Sequence, residues 1–329
     1  MSRSEQKESD RFVLLAEEGV RLDQLLTLRY GKKRSRSYLQ QLILEGRVRL
    51  GGRVATKKGE KVACATTIEI DWPADEAQSI EPEPMALAIL YEDRELLCLN
   101  KPAGLLVHPA PSHYRGTLVN GLLHHLKGVA RPYSLKDPTS YRPGIVHRLD
   151  KDSSGLLVVA KQEESFSLLV EQFQKRQVDK KYLAICVGNP TSCTIDAPIG
   201  RHPHDRQKMA IVPIDQGGKR AVTLFEPLYA AYGVTLVLCK LITGRTHQIR
   251  LHLRHRGTPL LGDSLYGDDH HNERLGAPRQ LLHAWRLRLT HPSTGLPMAW
   301  EAPLPADMEQ FCERYLLPYQ EIASLAAER

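Results

Sequence analysis

The run His147-Arg148-Leu149-Asp150-Lys151-Asp152 alternates cations and carboxylates and continues through Ser153-Ser154-Gly155 into apolar residues 156–160. A charged loop that feeds straight into a core segment is anchored at one end. Cations on both sides of Asp150 favour its ionised form, which a nucleophile or base requires. A lone aspartate before a strand is also a common turn or cap, and both roles stand open on these residues. A second cluster, Thr243-Gly244-Arg245-Thr246-His247-Gln248-Ile249-Arg250, follows apolar residues 234–239 and opens a predicted helix. From Lys240 to Arg256 there are five cations and no acid. Gly244 permits a tight strand-to-helix turn, and Arg245 on that turn can meet a carboxylate bidentately or pair with a surface acid.

Other chemistry is weakly supported. Lys101 and His108, in the run 100–109 (NKPAGLLVHP), invite acid–base roles but fit better as residues that shape the fold near a site. His124, His125, His202, His204, His270 and His271 lack a convergent carboxylate pattern and read as surface or partner-facing residues, with no metal expected. The six cysteines contain no C-x-x-C pair, so reduced buried thiols are expected rather than zinc or a disulfide framework. Neither common glycine-rich phosphate fingerprint occurs, so no cofactor, nucleotide or otherwise, is expected.

The elements that must position these residues follow from pattern. A chain of 329 residues suits two domains. Residues 1–10 read as a disordered tail. Within 11–72, Leu22, Leu25 and Leu26, then Tyr38, Leu39, Leu42 and Ile43, sit at helical spacing, and short strands follow at 48–50, 53–55 and 66–70. Residues 73–85, with three prolines and four acids, read as a linker. From 86 to 305, strands at 96–99, 156–160, 182–187, 222–225, 234–239 and 285–289 outnumber helices at 119–125, 165–175 and 248–256. An α+β domain around a mixed, largely antiparallel sheet is expected. Residues 306–329 read as a C-terminal helical tail. No segment is long and apolar enough to span a bilayer, and no signal peptide is visible, so a cytoplasmic monomer without membrane contact is expected.

Charge is concentrated. Between Arg29 and Lys61, eleven Lys and Arg oppose Glu45 and Glu60, a net of +9 in a chain of net +7, so the remainder sums to −2. One basic stretch of this kind suits a polyanion, or is a solvated charged face. The unit resembles an S4-type RNA-binding domain, although Arg49-Leu50-Gly51-Gly52 departs from that family's usual Val-Asn-Gly. Candidate RNA contacts are Lys32, Lys33, Arg34 and Arg36 at the entry of the second helix, with Arg47, Arg53 and, in the larger domain, Arg250.

Four runs in the larger domain resemble the large ribosomal-RNA branch of the pseudouridine synthases: residues 100–109 (NKPAGLLVHP), 144–161 (GIVHRLDKDSSGLLVVAK), 180–184 (KKYLA) and 243–253 (TGRTHQIRLHL), supported by 261–267 (LGDSLYG). The resemblance implies Asp150 as the essential carboxylate, Arg245 as the arginine that pairs with it, and Tyr182 as the ring that stacks on the target base. Arg148 would fill the space the extruded base vacates. It implies isomerisation of uridine in structured RNA, with large-subunit (23S) ribosomal RNA favoured and tRNA open. Attack at C1′ and removal of the 2′ proton are both compatible with a single aspartate. Two other classes stand beside this one: a catalytically idle RNA-binding assembly factor, and a carboxylate glycosidase, which would need a second acid across the sugar.

Overall fold

The computed structural model describes residues 9–13, 19–30, 36–63, 65–72, 80–110, 113–127, 144–205 and 207–327. The chain forms two compact units, one ending at Ile80 and the other beginning at Glu81.

In the first unit, β1 (Ser9–Val13) and β2 (Val20–Arg21) precede α1 (Leu22–Tyr30) and α2 (Arg36–Leu44). Four short strands follow: β3 (Val48–Leu50), β4 (Arg53–Val54), β5 (Lys61–Val62) and β6 (Thr67–Asp71). The apolar residues at helical spacing, Leu22, Leu26, Leu39, Leu42 and Ile43, are buried against Ile68 and Ile70, the inward residues of β6. Gly46 ends α2 in the left-handed conformation, φ 71°, where a side chain would be strained. The sheet order is β1-β6-β3-β4. The expected tail is thus too long: Ser9 and Asp10 pair with β6, and the Tyr30 hydroxyl donates to the Asp10 carboxylate. β1 escaped the sequence because five residues with charges between them carry little strand signal.

The second unit is built on a nine-stranded sheet. Its strands are β7 (Ile89–Glu92), β8 (Leu96–Lys101), β9 (Ser154–Ala160), β10 (Asp179–Val187), β11 (Cys193–Asp196), β14 (Val222–Ala231), β15 (Val234–Leu241), β16 (Leu282–Thr290) and β17 (Pro297–Glu301), with β12 (Ile199–Arg201) and β13 (Met209–Ile211) forming a separate hairpin. The order is β11-β14-β15-β10-β16-β9-β8-β7, with β17 also on β16. Every pairing in it is antiparallel except β16 with β9, where His283 meets Ser154 and Ala284 meets Gly155. Gly155 makes that junction possible: at φ 112°, a Cβ there would lie 2.3 Å from the Ala284 carbonyl oxygen.

The helices are α3 (Leu118–His125), α4 (Glu163–Gln174), α5 (Gln248–His255), α6 (Asp269–Leu275), α7 (Ala306–Tyr315) and α8 (Tyr319–Ala327). Strand alternation sorts the faces. Leu183 and Ile185 of β10 join Trp285, Met308, Phe311 and Ile322 in one core, while Tyr182 and Ala184 point to the other face. Residues 306–327, expected as a helical tail, are therefore part of this core. α7 and α8 close a core, and burying each large apolar side chain there contributes roughly 1.5–3 kcal/mol. The acidic end of the expected linker is likewise part of this unit: Asn120 of α3 donates to the Glu81 carbonyl, and Glu83 N–H donates to the Asn120 carbonyl. Residues 73–79 lie outside the described residues.

Candidate active site

The loop that carries Asp150 is held from four directions. His147 stacks on Phe173 of α4, ring centroids 4.7 Å apart, and its Nε2 accepts the Val158 N–H at 2.9 Å. Burial, with the charge of Lys180 acting the same way, pushes its pKa down to about 3, so it is neutral. The ammonium of buried Lys101 donates to the carbonyls of Pro102, Leu105 and Lys151 at 2.7, 2.9 and 3.0 Å, which ties the NKPAG run to the residue after Asp150. Gln280 donates to Ser153 Oγ at 2.8 Å. Arg279 donates to the Asp152 carbonyl at 3.0 Å while its other nitrogens grip Asp307 of α7 at 2.6 and 2.8 Å. At the start of β9, His283 Nε2 faces the Ala302 carbonyl, which leaves Nδ1 to accept from the Ser154 hydroxyl at 2.9 Å.

Asp150 meets an arginine, and it is Arg250. Arg250 Nη1 donates to Asp150 Oδ2 at 3.0 Å, while Nε and Nη2 form a fork on Asp263 at 2.6 and 2.8 Å. Asp263 Oδ1 also accepts the backbone N–H groups of Leu265 and Tyr266. One carboxylate thus fixes the guanidinium plane and leaves a single nitrogen aimed at the other. Burial alone would lower the pKa of Arg250, but hydrogen bonding and the charges of both aspartates raise it.

Across Asp150, His247 Nε2 stands 3.9 Å from Oδ1. The Met209 N–H donates to the Tyr266 hydroxyl oxygen at 2.7 Å, so that hydroxyl's own hydrogen is free for His247 Nδ1 at 2.8 Å. With Nδ1 accepting that hydrogen, the neutral imidazole presents an Nε2–H on the side of the carboxylate. Burial lowers the His247 pKa against the opposing charge of Asp150. His247 is also the N-cap of α5 at φ 57°. The sharp turn before α5 therefore bends at His247 rather than at Gly244, which does not take a positive φ. Backbone strain of this kind concentrates at functional sites.

Asp150, Arg250, His247 and His147 line a cavity of about 570 Å³. Asp150 is its one carboxylate among the described residues, opposed by Arg148, Arg176, Lys180, Arg245 and Arg250. Tyr182 is buried on the cavity face of β10, and burial followed by the charge of Asp150 raises its pKa, so the phenol stays protonated. Arg148 is exposed at the rim. Thus Asp150, Tyr182, Arg148, Arg245 and Arg250 are brought together, although two expected roles change. Arg245 does not pair with Asp150: its backbone N–H is held by Gln248 Oε1 at 2.9 Å, and its side chain leaves the turn to donate to the Arg220 carbonyl at 3.1 Å. Arg250, expected as an RNA contact, is buried between two carboxylates, because the first turn of α5 points it inward. His270 and His271 also differ from expectation, since Asp268 places a carboxylate within 4.8 Å of both; Asp268 caps α6 by accepting from the His271 N–H.

In the first unit the expected RNA contacts are all ion-paired where described. Arg36 donates to Asp23 at 2.7 Å, Arg47 lies 3.4 Å from Glu45, and Arg53 pairs with Glu60. Lys32, Lys33 and Arg34 lie outside the described residues.

Comparison with known proteins decides the family. The RNA pseudouridylate synthase family matches residues 95–255 and the S4 domain matches residues 20–63. The ribosomal large subunit pseudouridine synthase D of Escherichia coli K12 is 38% identical over 92% of this chain and 93% of its own. That of Nitrosomonas europaea is 44% identical over 88% of this chain and 83% of its own. The chain is an RNA pseudouridine synthase. Among solved structures, human RNA pseudouridylate synthase domain containing 1 shares 27% identity and a TM-score of 0.56, covering 74% of this chain and 98% of its own. The corresponding human domain-containing 4 protein gives 28% and 0.53 over 70% and 94%. The enzyme's fold, a mostly antiparallel sheet with an S4 domain at the N-terminus, agrees with the class expected from sequence.

Three residues of this pseudouridine synthase's cavity region had no role in the sequence reading: His247, Asp263 and Tyr266. All lie inside the TGRTHQIRLHL and LGDSLYG runs. Their membership of those runs was the available signal. Their convergence on Asp150 requires α5 and the 261–267 turn to be folded together.

Proposed function

We propose that this enzyme isomerises specific uridines of large-subunit ribosomal RNA, with Asp150 as the essential carboxylate. The observation that carries the reading is Asp150 itself, the only acid among the described residues of a cation-lined cavity, held by Arg250 and facing His247. The substrate follows from relatives named ribosomal large subunit pseudouridine synthase D and from the S4 domain. Among the described residues no second acid lines the cavity, which argues against glycoside hydrolysis, and nearby Asp263 is consumed by Arg250 and two backbone N–H groups.

In the proposed reaction the uridine leaves its stack and its base lies on Tyr182, while Arg148 at the rim enters the vacated space. Asp150 attacks C1′, or takes the 2′ proton to give a glycal. In both cases the N1–C1′ pair goes to N1, the base turns and C5 bonds to C1′; the aspartate then leaves C1′ as a carboxylate, or returns its proton to C2′, and the C5 proton is lost as N1 gains one. No electron is exchanged and no cofactor is required. Arg250 and the Nε2–H of His247 fix the carboxylate at the sugar. Arg245 serves the RNA backbone rather than the aspartate, and the enzyme acts as a cytoplasmic monomer.

Mapping pseudouridines across total RNA with and without the enzyme tests the target. Asp150→Asn is expected to lose isomerisation while RNA affinity stays within about threefold. An active Asp150→Asn enzyme refutes the reading, and modification confined to tRNA refutes the substrate.

A further inference from the structure

We propose that Lys180 is the counter-ion of the detached uracil, holding the negative charge that appears on the base when the N1–C1′ bond breaks. This inference rests on the role proposed for Asp150.

Lys180 and Tyr182 are two residues apart on β10, so both project from its cavity face, while Lys181 projects from the other. Two residues of strand span roughly 6.6 Å, enough to reach from the Tyr182 ring to the edge of a pyrimidine stacked on it. The Lys180 ammonium is half-buried, 5.7 Å from the Phe173 ring centroid, and a Cβ at Gly244 would lie 3.7 Å from it. Among the described residues it has no hydrogen bond and no carboxylate within ion-pair distance. One ionisable group, Asp179 on its own strand, acts on it electrostatically, and that carboxylate is engaged by Lys240 at 3.4 Å. Lys180 in turn acts on His147 of the catalytic loop, which is neutral.

The other cavity cations are accounted for differently. Arg250 is buried between Asp150 and Asp263. Arg148, Arg176 and Arg245 are exposed, where phosphate oxygens are reached without desolvation. Lys180 alone among them is drawn into the interior with no anion to meet.

The charge balance of the reaction supplies one. Before bond cleavage the interior holds Arg250 and Lys180 against Asp263 and Asp150, a net of zero. If Asp150 attacks C1′ it becomes an ester; if it takes the 2′ proton it becomes an acid. Either way its charge is lost while the electron pair of the N1–C1′ bond makes the uracil an anion, delocalised over N1, O2 and O4. The interior stays neutral only if a cation stands beside the base, and Lys180 is placed there. When C5 bonds to C1′ the base becomes neutral and Asp150 recovers its charge, by leaving C1′ or by returning its proton to C2′; the C5 proton is then lost as N1 gains one, and the base stays neutral. A fixed charge aimed at one that develops is the arrangement that accelerates chemistry rather than binding.

The test compares Lys180→Met and Lys180→Arg with the unaltered enzyme and Asp150→Asn, in single turnovers at saturating ribosomal RNA. Lys180→Met is expected to lose about 10²–10³-fold in rate with RNA affinity and melting temperature unchanged. Lys180→Arg should keep the rate within about tenfold. Burial lowers the Lys180 pKa to about 8, so the cation is present below that pH and lost above it. The unaltered rate should therefore fall above about pH 8, and the fall should move to higher pH in Lys180→Arg, which also decides the matter if the methionine variant misfolds. An unchanged saturating rate in Lys180→Met, weaker RNA binding with the rate retained (a phosphate ligand), or an unmoved alkaline limb in Lys180→Arg each overturn the proposal. An inactive Asp150→Asn beside a fully active Lys180→Met rejects this inference alone, whereas an active Asp150→Asn rejects the reading beneath it.

Discussion

Asp23 in the S4 unit and Asp263 in the synthase unit are both fully buried, and both hold arginines. Asp23 binds Arg21, Arg36 and Gln40, and the two arginine side chains are 50% and 53% exposed. Asp263 binds Arg250, which is 5% exposed and passes its remaining nitrogen to Asp150. The same device, a buried carboxylate with a fixed orientation, organises surface cations in one unit and aims a single buried donor in the other. The difference is what surrounds the guanidinium. In water its charge is screened and replaceable, while inside the cavity it is neither.

Breaking the buried pair should cost most. Arg250→Met is expected to lower the single-turnover rate by about 10²–10³-fold and, because Asp263 is left unpaired, to reduce stability by about 3–5 kcal/mol in denaturant unfolding. Arg250→Met combined with Asp263→Leu should recover much of the stability and none of the rate. Recovery of both would show that the arginine serves only the fold.

Next in size is the support from α7. Asp307→Ala releases Arg279 from the helix and so loosens its bond to the Asp152 carbonyl. A rate loss of roughly tenfold with about 1–2 kcal/mol of destabilisation is expected, and substrate KM should hardly move. An unchanged rate would mean that the loop is adequately fixed by Lys101, Gln280 and His147.

Asp23→Asn should sharpen the comparison from the other side. Removing this charge is expected to cost about 2 kcal/mol, seen as faster amide exchange in α1 and α2, and to weaken RNA binding without changing the saturating rate. Hydrogen bonding from Arg21 is the largest influence lowering the Asp23 pKa, against burial. A depressed carboxylate contributes stability above its unfolded value, near pH 4, and loses it as pH falls toward the folded value. Protection of α1 should therefore decline below about pH 4 in the unaltered enzyme and much less in the variant.

The smallest effects belong to Arg47 and Arg53. Their exposed ion pairs are worth within about 0.5 kcal/mol each. Replacing either with Ala should leave unfolding unchanged and, if it meets phosphate, reduce the salt slope of RNA binding by about one. An unchanged slope removes that arginine from the RNA face.

Much of this was readable in advance where pattern is local. The helical spacing of Leu22, Leu26, Leu39 and Ile43 and the apolar runs of β8, β9, β10 and β15 report burial directly, because periodicity is set by the backbone. β1 was missed because its burial is decided by pairing with β6, fifty-four or more residues away in sequence, rather than by its own composition. α7 and α8 were read as helices but not as core, since amphipathic helices carry no mark of what they cover. The pairing of Arg245 with Asp150 was expected from family resemblance, and the two arginines of the TGRTHQIR run differ only in where the turn before α5 sends them.

The sequence by itself determined that Asp150 sits in a charged loop before a buried strand, that Tyr182 lies on an apolar strand, and that basic residues gather near the N-terminus. Those are properties of short windows, and short windows are what side-chain type and spacing can encode. Only the tertiary structure decided that Arg250 rather than Arg245 meets Asp150, one hundred residues away, that His247 faces it, and that Lys180 stands in the cavity with no carboxylate within ion-pair distance among the described residues. Hydrogen bonds and charge interactions act over a few ångströms, and which groups come that close is settled by how the sheet, α5 and the 261–267 turn fold together.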